Sequence, residues 1–172
     1  MKRKGFLLVG IAVLFSISTM AQKFALIDME YILSNIPAYE MTNEQLSQLS
    51  KRWQSEIEAL QQEAQNMYKT FQSDLVFLSA EMKSKREEEI LRKEQAAMEL
   101  RRKYFGSEGE LYQRRASLMK PIQDEIYEAT KAIAEDKGYQ VILDRASAMS
   151  IIFASPQIDI SNEVLVKLGY SR

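Results

Sequence analysis

Asp28, Asp144 and Arg145, all near predicted strand ends, are the residues best placed by type to do acid–base chemistry. A carboxylate can take a proton and a guanidinium can steady a developing anion, but only where such groups converge in a pocket. The 172-residue chain has no histidine and no cysteine. That removes the usual near-neutral base, the thiolate nucleophile, the commonest metal ligands and any disulfide. Carboxylate and Ser/Lys chemistry remain open in principle, yet no spacing frames them. There is no glycosidase-like carboxylate pair and no GxxxxGK[ST] phosphate loop. Asp28, Asp144 and Arg145 read more simply as ion-pair and turn residues, and we expect neither an enzyme nor a bound cofactor or metal.

The other chemistry on offer is adhesive. Phe71, Phe77, Met82, Met98, Tyr104 and Phe105 fall in a stretch that lacks a full apolar surround. Arg101, Arg102 and Lys103 stand among them. Each aromatic or methionine has a plain role as coiled-coil core, but flexible Met and broad aromatic faces also suit a surface that meets many partners. Net charge is −1 overall and −4 without the basic residues Lys2, Arg3 and Lys4. Lys83 to Lys103 holds eight basic and five acidic residues, so this distal segment is +3 on a body of −7. Glu/Lys pairs such as Glu89 with Lys93 would lace a solvated face there. An excess of three charges is too small for a nucleic-acid partner.

Long helices must position these residues. Apolar side chains at Leu46, Leu49, Trp53, Ile57, Leu60, Ala64, Met67, Phe71, Leu75 and Leu78 step by three and four, which predicts a helix of about forty residues, on the order of 60 Å long. Pro37 punctuates its approach, and Thr42 with Gln45 matches a capping box at its start. A second match, Ser84 with Glu87, puts the hairpin tip near 79–84. On the return, Leu91, Met98, Phe105, Tyr112, Met119, Ile126 and Ile133 form a heptad ladder beside a parallel row of Ile90, Ala97, Tyr104, Leu111 and Leu118. Gly106 and Gly109 interrupt it, and Ser107 with Glu110 makes a further capping-box match. The retained phase favours a continuous helix weakened at the glycines and kinked at Pro121. Flanking positions are polar distally and apolar at Ile122 and Ala129, so the proximal part should be buried more completely.

Shorter elements flank the hairpin. Phe24 to Ile27 reads as a strand leading into a helical turn, Tyr139 to Asp144 as a buried strand after Gly138, and Ser150 to Ser155 as another closed by Pro156. Ser161 is placed to cap a final helix. The opening MKRKGFLLVGIAVLFSISTMAQ has a basic start, an apolar run too short for a bilayer and small residues at Thr19 and Ala21. It reads as a signal peptide, 1–21, cleaved after Ala21, and Gln22 in place of cysteine argues against a lipid anchor. The fold class expected is α+β: a base from 22–38 and 137–172 carrying a helical hairpin, 39–136. Such a base is too small for a robust core alone, and its sheet edge invites self-association.

KFALIDMEYIL, PIQDEIYEATKAIAEDKGYQVILD and IIFASPQIDISNEVLVKLGY together resemble the Skp/OmpH family of periplasmic chaperones. The resemblance runs through the mature chain in element order and is most specific at GYQVILD and IDISNEVLVKL. It implies a homotrimer with a β-rich body and three helical tentacles around a cavity. There, without ATP, unfolded outer-membrane proteins are held before delivery to the outer-membrane assembly machinery. A membrane surface or lipopolysaccharide is a further partner left open. The best-known member of the family is strongly basic, whereas here only the distal segment is, at +3, so reversing charge at Arg101, Arg102 and Lys103 should weaken client capture. The competing reading is a periplasmic coiled-coil adaptor that docks an envelope complex.

Overall fold

The computed structural model describes residues 23–148 and 150–170; the signal peptide expected over 1–21 and its expected cleavage site lie outside them. Strand β1, Phe24–Ile27, leads into the short helix α1, Met29–Ser34. Helix α2, Pro37–Asp74, is the outgoing leg, and α3, Ala80–Phe105, with α4, Glu110–Lys137, makes the return. Strand β2, Val141–Asp144, a 3₁₀ turn at Pro156–Ile158 and helix α5, Ser161–Lys167, complete the chain. The architecture is the expected one, a long helical hairpin on a small β-containing base. Among the described residues no helix is long and apolar enough to cross a membrane.

Helix α2 has 38 residues, roughly 57 Å at 1.5 Å per residue. It starts at Pro37, where a missing N–H costs nothing and the fixed φ suits a first turn. The Thr42–Gln45 capping box is therefore not used, and Thr42 is buried inside the helix. The tip also falls earlier than the 79–84 expected. The turn spans 75–79, and Ser79 rather than Ser84 caps α3 by accepting the Met82 N–H at 3.3 Å.

The return leg is broken, against the expectation of one continuous helix. Gly106 and Gly109 are both extended, with ψ of 167° and 172°. They fit because they lack a Cβ: one on Gly109 would lie 2.8 Å from the Tyr104 carbonyl oxygen, and one on Gly106 2.4 Å from that of Arg102. No side chain caps α4, so the Ser107–Glu110 box does not form either. The break also changes which heptad row is buried. Ile90, Ala97 and Tyr104 are buried distally while Leu91 and Met98 are exposed; below the break Tyr112 is still exposed, and from Met119 on the buried row is Met119, Ile126 and Ile133. Ile122 and Ala129 are buried beside them as expected, and α4 runs on through Pro121.

The base core joins Ile27, Ile32, Ile36, Ile126, Ile133, Ile160 and Val164. Strands β1 and β2 pair in parallel, Leu26 opposite Leu143, an arrangement that needs a long connection such as the helical hairpin between them. The sheet has two strands, not three: Ser150 to Ser155 forms no strand, and β2 is half-exposed rather than buried. Val141 and Leu143 of β2, and Ile152 and Phe153 beyond it, are exposed among the described residues. Ser161 is the first residue of α5, not its cap. The Asp159 carboxylate accepts its N–H and hydroxyl, at 2.9 and 2.6 Å, while Ser161 Oγ accepts the Asp28 N–H at 2.8 Å. Lys137 pairs with Glu163, and the hydrogen bond raises the ammonium pKa while tying α4 to α5.

Candidate functional site

The three acid–base candidates come together at the top of the base and are engaged there structurally. Asp28 caps α1 by accepting the Tyr31 N–H at 2.9 Å and pairs with Arg145 at 3.0 Å; Arg145 also meets Asp159 at 3.4 Å. Asp144 Oδ1 accepts the N–H groups of Met29 and Ala146, both at 3.0 Å. Burial raises the Asp144 pKa, but these hydrogen bonds outweigh it and hold the carboxyl below its usual value. A lowered folded pKa means that the charged form stabilises the fold above the unfolded value, and that this is lost as pH falls through the folded one. Asp144→Ala should therefore cost about 1–3 kcal/mol at pH 7. The gap to wild type should narrow below about pH 4. Urea melts at both pH values check this, and a gap that widened on acidification would contradict it.

The adhesive candidates divide into two groups. In the first, Trp53 on α2 stacks on Tyr104 at 4.6 Å between ring centres and 4° between planes, and meets Phe105 edge-on at 6.3 Å. The Tyr104 hydroxyl donates to Glu56 at 3.1 Å. Burial, then that bond, raises the phenol pKa. Phe105 packs against this cluster, and Phe71, farther along α2, is buried as well. These three are mortar between the legs, the plainer of the two roles their types allow.

The second group faces water. Phe77 at the tip is 84 % exposed, and Met82 and Met98 are at least half exposed. Beside them stand Val76, 83 % exposed, Tyr68 and Leu91, which sequence reasoning did not single out. Val76 had a signal, since it sits where the apolar seam stops; Leu91 was hidden by its place in the ladder. Tyr68 and Met98 border an open groove of about 790 Å³ between α2 and α3. Its floor is Ala64 and Ala97, whose small side chains leave the space.

The basic candidates are likewise unequal. Lys103 pairs with Glu110 across the glycine break at 3.4 Å and lies 5.3 Å from the centre of the Tyr104 ring. Arg101 and Arg102 are exposed and make no ion pair among the described residues. Lys93 reaches across the hairpin to Glu63 at 2.9 Å instead of pairing with Glu89, and Arg92 pairs with Glu88. The leg thus carries exposed apolar side chains and free guanidinium groups together, a surface suited to many weak contacts with extended polypeptide.

A family model described as outer membrane protein (OmpH-like) matches residues 23–168. A chaperone protein Skp from Yersinia enterocolitica is 25% identical over 161 residues, covering 91% of this chain and 92% of its own. Another from Photorhabdus laumondii is 26% identical over 136 residues, 78% and 81% of the two chains. The crystal structure of an OmpH-like protein from Caulobacter crescentus superposes with a TM-score of 0.68 at 13% identity, over 84% of this chain and 82% of that one.

Proposed function

Since this chain belongs to the outer membrane protein (OmpH-like) family, a family with a chaperone role, we propose that it is a periplasmic holdase that keeps unfolded outer-membrane proteins from aggregating without ATP. Its clients would pass from it to the outer-membrane assembly machinery. The observation that carries this reading is the leg surface: Val76 and Phe77 at the tip, with Met82, Leu91 and Met98 along α3, leave large apolar side chains in water far from the base core. Val76 and Phe77 adjoin at the tip, and contiguous exposed apolar surface is what marks an interaction site. Arg101 and Arg102 add long-range attraction for acidic segments. An adaptor docked on one dedicated partner would favour a continuous, shape-matched face, and scattered methionines fit changing partners better.

The protein would act as a homotrimer closed through the base, so that three legs surround one client and their weak contacts add through effective concentration. The half-exposed β2 and the small base core support association. Diluting a urea-unfolded outer-membrane β-barrel protein into buffer with the mature chain, without nucleotide, tests the holdase. Suppressed light scattering at about one trimer per client is the expected result.

A further inference from the structure

The seam between the legs changes character halfway along. Toward the base its buried residues include Trp53, Ile57 and Tyr104, and toward the tip Phe71 and Ile90. Between these in each leg the buried residue is an alanine, Ala64 on α2 and Ala97 on α3. Two methyl groups cannot fill the space that aromatic and branched side chains fill elsewhere, and the open groove of about 790 Å³ lies over them. That is within the roughly 300–1,000 Å³ of ligand-sized sites. The floor is apolar, and Tyr68 and Met98, both more than half exposed, line it as well.

The charge of this groove is one-sided. Glu58 and Glu94 line it from the two legs, and none of its lining residues is basic. Among the described residues neither carboxylate has an ion-pair partner. Glu58 accepts the Gln54 amide at 2.9 Å, which leaves its charge uncompensated. Lys93, one residue from Glu94, is engaged by Glu63 instead, at 2.9 Å. Gln61 and Gln65 on the α2 wall carry amides that can both donate to and accept from an extended backbone.

We propose that this groove takes an extended stretch of unfolded polypeptide in which a lysine or arginine adjoins an apolar side chain. The apolar side chain would rest on Ala64 and Ala97. The cation would lie between Glu58 and Glu94, with its alkyl stem along Met98 and its charge near the Tyr68 ring, while Gln61 and Gln65 meet the backbone. Charge complementarity selects this occupant: an acidic stretch would be repelled, and a purely apolar one would desolvate two carboxylates without compensation. The inference rests on the holdase reading and deepens it. The leg would hold the two signs of client charge at separate places, basic stretches in the groove and acidic ones at Arg101 and Arg102, which lie outside it.

Fluorescence anisotropy of short labelled Gly/Ser peptides that carry Lys–Phe, Glu–Phe or Lys–Ser pairs, titrated with residues 22–172 of this chain at low ionic strength, tests it. The Lys–Phe peptide should bind most tightly. Glu58→Gln combined with Glu94→Gln, both at exposed sites, should leave the thermal melt unchanged and weaken that peptide about threefold or more, the scale of two exposed ion pairs. The difference should vanish at high salt. With no native cysteine, an environment-sensitive dye on Gln61→Cys should shift to the blue when the Lys–Phe peptide is added, and a dye on Glu135→Cys, exposed near the base, should not. Equal binding of the Lys–Phe and Glu–Phe peptides, with the double variant indifferent and the Gln61→Cys dye unmoved, would overturn the groove; the holdase reading would survive if the same protein still kept a urea-diluted β-barrel protein from aggregating. A wild type that failed that assay too would overturn both.

Discussion

Val76→Ser combined with Phe77→Ser is expected to weaken capture of an unfolded β-barrel client about tenfold or more while leaving thermal unfolding unchanged. Both side chains are more than four-fifths exposed, so removing them takes almost nothing from the fold. Fully burying a large apolar side chain against a client is worth about 1.5–3 kcal/mol, and half-burial of two such residues already exceeds the 1.4 kcal/mol that makes a tenfold change. Three legs acting on one client would multiply the loss. Fluorescence titration of a labelled client measures it, with Tyr127→Ser, an exposed change on α4 near the base, as control. Equal affinities for wild type and tip variant would place capture elsewhere on the molecule.

Trp53→Ala should be the most damaging single change in the hairpin. The indole is nearly buried, stacks on Tyr104 and meets Phe105 edge-on at the glycine break. Deleting a buried aromatic in a core costs about 3–5 kcal/mol, and stacking adds about 0.5–1.5 kcal/mol to burial alone. Part of that is recovered here, because water can enter a two-helix seam. The expected signature is regional: amide exchange should accelerate in 45–70 and 90–115 and stay slow in the base, whose core is a separate cluster. Uniform acceleration throughout the chain would mean that legs and base unfold as one unit.

The helices were legible because their apolar steps are local and long, and local periodicity survives any tertiary context. Strand β1 was legible as a short apolar run, Phe24 to Ile27. Capping boxes misled at Thr42, Ser84 and Ser107 because a pattern of one hydroxyl and one amide or carboxylate is common in polar helices, and competing starts at Pro37, Ser79 and Gly109 satisfied the backbone first. The break at Gly106 to Gly109 was masked by a ladder that keeps its spacing in sequence. Two adjacent heptad rows ran in parallel, so a break that swaps one buried row for the other leaves no trace in either. The Ser150 to Ser155 strand was expected from composition, which registers the propensity of a segment and not whether a neighbouring strand stands ready to pair with it.

The same limit applied to the candidate surface. Residue type put Phe71, Tyr104 and Phe105 with Phe77, Met82 and Met98, and only their burial between the legs separates the mortar from the exposed set. Val76 and Tyr68 needed the tip turn and the Ala64–Ala97 floor before they stood out. Asp28, Asp144 and Arg145 met as strand-end neighbours, which their positions in the sequence foreshadowed.

Light scattering of a urea-diluted outer-membrane β-barrel protein, with and without residues 22–172 of this chain and in the absence of nucleotide, tests the holdase most directly. The account predicts that scattering falls nearly to baseline at about one trimer per client, and that the Val76→Ser, Phe77→Ser protein needs several times more. Scattering as high with the wild-type protein as with buffer alone would contradict it.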